Sequence, residues 1–184
     1  MGLRRVPYAS LAALLRRELV SREGPGTAAL IARVRHVKGR GSFTRTEFLS
    51  MCRWKSPRAI RRCERNSAAA VRRVSRAVFA TRSERRRLEL LTELSGVSVP
   101  TASAILTLVD PRRYGVLDIR AWQLLFELGT VRRKPAGRGF APRDWLDYLG
   151  ELRRHARRLG VPARAVELTL FLCHRKLQKG RLYA

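Results

Sequence analysis

Apolar residues recur at three- and four-residue spacing along almost the whole chain, and Gly, Pro and capping residues interrupt them at short intervals. Leu11, Leu14, Leu15 and Leu19 make a first stripe that stops before Gly24-Pro25-Gly26. Leu30, Ile31 and Val34 mark a second helix, closed by Gly39-Arg40-Gly41. Thr44, with Glu47 three residues on, reads as a capping box opening a helix that carries Phe48 and Met51. Ser56-Pro57 is another start, with Ser as N-cap and Pro at the first helical position. Asn66 is the expected cap of a helix bearing Val71, Val74 and Val78, and Ser83 of one bearing Leu88, Leu91 and Leu94. Thr101 to Val109 forms a short apolar helix stopped by Asp110-Pro111, and Ile119, Trp122 and Phe126 resume the pattern. After a basic loop from Arg132 to Gly139, Pro142 opens a long helix with Trp145, Leu149, Leu152, Ala156 and Leu159. Gly160 closes it, and Pro162 opens the last helix, whose Leu168, Phe171 and Leu172 face inward. No segment alternates strictly enough for a strand, so the expected fold is all-α, built of short helices.

Charge then narrows the partner. The 184 residues hold 40 Lys plus Arg against 14 Asp plus Glu, a net +26, while 45% are apolar, enough for a cooperative core. Such an imbalance makes the compact state repel itself, and a polyanion would relieve it. Thirty-five of the cations are Arg. A GC-rich genome favours Arg over Lys without functional cause, but it does not explain the deficit of acids. Arg also grips phosphate better, through a planar fork that stays charged at any working pH. Arg72, Arg73 and Arg76 share one helix face, and Arg153, Arg154, Arg157 and Arg158 another. The longest uncharged stretch, Leu94 to Val109, contains Gly96 and Pro100 and is too short to span a bilayer. No secretory cleavage pattern follows the brief apolar run at Ala9 to Leu15. Cys52, Cys63 and Cys173 are widely separated with no C-x-x-C pair, which argues against zinc, an iron–sulfur cluster and a disulfide framework. His36, His155 and His174 are isolated, and no phosphate loop, dinucleotide fingerprint or nucleophile elbow occurs. The expectation is a cytoplasmic, nucleoid-associated bacterial monomer that binds DNA, with no membrane contact, metal or cofactor.

Residues 88–126 carry the most information. A helix runs into Leu94-Ser95-Gly96-Val97-Ser98-Val99-Pro100, and a second starts at once. Gly96 relieves the tight connection, and the amides at the start of the second helix, with its dipole, form an anion site for a DNA phosphate. Eighteen residues beyond Pro100, Asp118 sits in Tyr114-Gly115-Val116-Leu117-Asp118-Ile119-Arg120-Ala121-Trp122. Over these forty or so residues the chain resembles the helix-hairpin-helix DNA glycosylases, whose hairpin often reads L-P-G-V-G-x-x-T-A and is followed by a catalytic Asp in an apolar setting. Ser95 and Ser98 replace a Pro and a Gly common in that hairpin, which weakens phosphate binding there. Members that also cut the strand carry a hairpin Lys; Pro100 aligns with it and has no amine. The resemblance therefore implies a monofunctional enzyme that breaks the N-glycosidic bond and leaves an abasic site.

The chemistry has a physical reason. Cleaving base from deoxyribose builds positive charge on the sugar, and a fixed carboxylate near C1′ stabilises it and positions water. Asp118 also fits as a plain N-cap of the helix from Ile119, and the two roles are compatible. The break at Cys52-Arg53-Trp54-Lys55-Ser56-Pro57-Arg58 is the second candidate. In the resembling family the corresponding loop fills the hole left by a flipped nucleotide, which needs a wedge and a stacking surface. Trp54 suits either that role or a core position, while Lys55 and Arg58 are expected on flanking phosphates. Glu47 is expected to complete its capping box; Glu64 is the other acid near the presumed cleft. The full expectation is two helical lobes, residues 27–115 carrying the hairpin and residues 1–26 with 116–184 forming the other, with DNA crossing between them. Asp118 is the catalytic candidate; Gly96, Ser98, Thr101, Lys55, Arg58 and Arg120 are the DNA-binding candidates. The substrate is a damaged base, with alkylated bases attractive because a cationic base leaves readily, in duplex or single-stranded DNA. A non-catalytic helix-hairpin-helix DNA-binding protein and a general cationic nucleic-acid packer are the rivals.

Overall fold

A computed structural model of the chain describes residues 6–178. In order these form α1 (Leu11–Glu18), α2 (Pro25–Val34), α3 (Val37–Arg40), α4 (Arg45–Lys55), a 3-10 turn at Pro57–Ala59, α5 (Ile60–Cys63), α6 (Ala68–Ala80), α7 (Glu84–Thr92), α8 (Val99–Val109), α9 (Ile119–Glu127), α10 (Pro142–Leu159) and α11 (Ala163–Leu177). No β-strand occurs among the described residues, so the fold is all-α. Local capping chemistry sets most helix starts. Thr44 and Glu47 close a reciprocal capping box, and the side chains of Ser10, Ser67, Ser83 and Ser98 each accept an amide one turn in.

Helix α8 is the centre. Every residue from Thr101 to Val109 is buried, and α4, α7, α2 and α10 pack around it. A helix that is apolar all round belongs inside, and burying each large side chain there contributes about 1.5–3 kcal/mol. Phe48, Met51, Leu88, Leu91, Trp122, Trp145 and Tyr148 complete a connected apolar cluster that runs from Leu11 to Cys173. The three cysteines are buried and unpaired.

The polar groups of α8 are used to hold its neighbours. Ser103 accepts the Leu117 amide at 2.8 Å on its hydroxyl, which itself donates to the Pro100 carbonyl. The extended strap between α8 and α9 is pinned further by Val116, whose amide donates to buried Glu167 and whose carbonyl accepts from Tyr148 Oη at 2.9 Å.

Several boundaries differ from the sequence reading; α7 ends at Thr92, short of Leu94, and α8 begins at Val99 rather than Thr101. Leu19 is the C-cap of α1 rather than part of its stripe, and the second helix stops at Val34. Gly39 lies inside α3, which ends at Gly41 with a left-handed φ of 72°. Ser56 makes no side-chain cap, and Pro57 begins a 3-10 turn. Asn66 is not the cap of α6; Ser67 is. The Asn66 amide instead bridges to the hairpin, donating to Ser95 O and accepting from Ser95 N, both at 2.9 Å. A carboxamide carries its donor and acceptor on separate atoms, which reach the carbonyl and the amide of Ser95 together, and that long-range pairing outweighs a local cap.

Candidate nucleic-acid cleft

Asp118 ends the pinned strap and begins α9. Its Oδ1 accepts the Arg120 amide at 2.9 Å, so it is the N-cap. Its Oδ2 accepts from Lys55 Nζ at 2.7 Å, across to the last residue of α4. Partial burial penalises the charged form, but the Lys55 charge and hydrogen bond, the Arg120 amide and the Arg120 charge together hold the carboxyl below its ordinary range. Cap and exposed carboxylate are thus one side chain, since about a fifth of it remains open to solvent (21%).

That opening leads into a hollow of about 400 Å³ lined by Arg22, Glu23, Gly24, Thr27, Trp54, Lys55, Val116, Asp118 and the α11 residues Arg164, Glu167, Leu168, Phe171 and Leu172. Trp54 is half-buried and forms one wall. Its indole donates to Thr27 Oγ1 at 3.1 Å, and the Arg164 guanidinium lies over its ring at 5.7 Å. These partners hold the ring in the wall of the hollow. Arg164 is held on both sides, by Glu23 and by Glu167. Burial alone would lower its pKa, but the two carboxylates outweigh that and raise it. Burial lifts the Glu167 carboxyl above the usual range against the pull of Arg164.

The hairpin leads directly into the start of α8. Gly96 adopts φ +79°, and a Cβ there would meet Cys63 N at 2.8 Å and Arg62 Cβ at 2.9 Å, so only glycine fits. Thr101 is buried, and its amide is capped by Ser98 Oγ at 3.4 Å. Ser95 N goes to Asn66 and Val97 N to Leu94 O, which leaves the Gly96, Ser98 and Val99 amides as the open donors of this turn. A phosphate at the hairpin would therefore meet Gly96, Ser98 and Val99 before Thr101. Val99 was not among the sequence candidates.

Two other candidates sit differently from their expected phosphate role. Lys55 is directed into the hollow and engaged by Asp118. The Arg120 guanidinium binds the Gln178 side chain and lies 5.8 Å over the Phe171 ring. Arg58 is exposed on the 3-10 turn just after Lys55. Glu47 completes the Thr44 box and also pairs with Arg40, and Glu64 pairs with Arg53 at 3.6 Å. Glu23, Arg164 and Glu167 were missed by sequence reasoning. Arg164 and Glu167 carry the faint signal of an i,i+3 pair, but nothing links them to Glu23, which is 141 residues from Arg164. Among the described residues no group of three or more His, Cys, Asp and Glu could hold a metal ion, and no helix is long and apolar enough to cross a membrane. Comparison with known proteins finds no similar family model, curated protein or solved structure.

Proposed function

We propose that the protein is a base-excision DNA glycosylase, cleaving the N-glycosidic bond of a damaged base flipped into the hollow beside Asp118. One observation carries the reading: an ionised carboxylate, fixed as a helix cap, opens onto a hollow walled by Trp54 and floored by buried charged groups. A planar base stacks on the indole, and Asp118 faces the sugar that becomes cationic as the base departs. The hairpin resemblance and the net charge of +26 supply the grip on DNA.

The absent hairpin amine pointed to a monofunctional enzyme, but the Lys55–Asp118 contact favours a second version of the reaction. In it, the substrate displaces Lys55 from Asp118, Lys55 gives up its proton to water, and its nitrogen attacks C1′. The C–N bond to the base breaks as the new one forms, the attacking nitrogen passes its proton to the departing base, and opening of the C1′–O4′ bond leaves the imine that borohydride traps. The test incubates the protein with oligonucleotides bearing single lesions, with and without later alkali. Alkali-dependent breaks abolished by Asp118→Asn support hydrolysis. Breaks without alkali, with borohydride-trapped adducts lost in Lys55→Met, support the amine. Tight lesion-independent binding with no product from any lesion refutes both and leaves a non-catalytic DNA-binding protein.

A further inference from the structure

A second hollow, of about 350 Å³, opens between the turn at residues 110–114 and the last turns of α10, lined by Arg112, Arg113, Arg153, Ala156, Arg157, Gly160 and Val161. Four of its seven lining residues are arginines. Two of them are built into the fold. Glu84 accepts from Arg113 at 2.6 Å, from Arg153 at 2.8 Å, from Arg87 at 3.4 Å and from Tyr114 Oη at 2.9 Å. The Arg113 and Arg153 guanidiniums also lie 5.7 and 5.1 Å from the Tyr114 ring centre, and Arg153 Nε donates to Arg113 O at 2.9 Å. Their planes are therefore fixed before any ligand arrives, which lowers the ordering cost of binding.

Arg112 and Arg157 make no ion pair among the described residues. They are exposed, they face the same hollow, and nothing in the packing requires them. Glu84 thus answers three guanidiniums, Arg87, Arg113 and Arg153, and Asp110, which accepts the Arg113 amide at 3.3 Å, is paired with Lys38, so Arg112 and Arg157 leave the hollow in positive excess. Placing two unpaired cations beside a cluster already in positive excess raises self-repulsion, and a bound anion removes it. The N-terminus of α11 does not supply the site, because its first amides are taken: Ala163 N donates to Arg112 O and Arg164 N to Pro111 O. Side chains alone make it, and guanidinium forks select phosphate oxygens by geometry.

Position favours a polymer over a free ion. Between this hollow and the Asp118 cleft lies another of about 400 Å³, lined by Arg35, Pro111, Pro162 and Arg164 among others. It shares Arg164, Glu23 and Leu168 with the cleft, and its Pro111 and Pro162 adjoin Arg112 and Val161 of the arginine hollow. Phe171 in the cleft and Pro162 are nine residues apart along α11, about 13 Å of helix. We propose that the arginine hollow binds a backbone phosphate of the nucleic acid engaged by the cleft, a few nucleotides away. This rests on nucleic acid being the partner, and not on the chemistry of Asp118.

The test uses an undamaged fluorescent duplex, so no catalysis enters. Anisotropy titrations across a salt series compare the wild-type protein, Arg112→Gln/Arg157→Gln, and Arg158→Gln/Arg175→Gln, which removes the same charge from exposed positions outside the hollow. The first pair should weaken binding about tenfold and flatten the log–log salt slope by about 1 to 2, and the second should do distinctly less. Equal effects from both pairs would show a diffuse charge and no site, overturning the proposal while leaving the glycosylase reading intact. A wild-type protein without salt-dependent duplex affinity would overturn both. Inorganic tripolyphosphate binding lost only in the first pair, with duplex binding unchanged, would assign the hollow to a small phosphate and overturn the nucleic-acid assignment.

Discussion

Replacing Lys55 by Met tests whether the cleft pair is an energetic unit. At 2.7 Å and an effective dielectric of about 20, the two charges attract by about 6 kcal/mol before desolvation. The side chains keep only 16% and 21% of their exposure, so desolvation takes back most of that, and a net coupling of about 1–3 kcal/mol remains. Asp118→Asn is the partner substitution, because Asn caps a helix as well as Asp and isolates the charge from the cap. Each single change should cost about 2 kcal/mol in urea unfolding at pH 7, or about 4–8 °C in Tm for a chain of this size. The double variant should cost clearly less than their sum. Because Asp118 titrates below its ordinary range, the coupling is complete above the unfolded carboxyl pKa of about 4 and fades as pH falls through the lowered folded value. The cycle should therefore give the same coupling at about pH 5 as at 7. Additivity within about 0.5 kcal/mol at pH 7 would refute the reasoning, leaving the contact as geometry without energy.

Three further outcomes follow from other sites. Gly96→Ala forces a Cβ at φ +79° to within 2.8 Å of Cys63 N; it should cost about 3 kcal/mol, and an unchanged urea midpoint would show that the hairpin relaxes freely. Glu84→Gln leaves Arg87, Arg113 and Arg153 converging without a counter-charge; a loss of about 2–4 kcal/mol is expected, and no change in Tm would contradict it. Burial, helped by the Arg120 charge, lowers the His174 pKa from 6.5 to about 4, and its Nε2 pairs with Gln123 Oε1 at 2.8 Å. The unfolded chain therefore binds a proton first as pH falls from 6.5 to 4, and stability drops across that window by up to about 3 kcal/mol. His174→Gln should flatten the slope, and an identical pH dependence in the variant would assign it elsewhere.

Local chemistry made much of the helix order legible. The Thr44–Glu47 box, the Ser83 cap, Pro142 and Gly160 each act within one turn, so their meaning survives without knowing the fold. Asp118 was legible for the same reason, as a cap at the right distance from a hairpin. Asn66 misled because its strongest partner, Ser95, lies 29 residues away. Lys55 was read as part of a break between helices, but it is the last residue of α4, and its partner Asp118 lies 63 residues on, beyond any local signal. Among 35 arginines, only a faint i,i+3 spacing to Glu167 sets Arg164, clamped by two carboxylates, apart from Arg157, which has none. Only tertiary proximity separates a structural cation from an available one.

The serine hydroxyl that holds the strap sits on the same helix as the hairpin, five residues after Ser98, about 7.5 Å along the axis. α8 therefore works as a gauge. The offset between the hairpin turn and the Asp118 carboxylate is fixed by helical rise, not by the give of a loop. A one-residue insertion between Ser98 and Ser103 would advance that hydroxyl by 1.5 Å and swing it through about 100°, breaking the calibration while leaving both ends chemically intact.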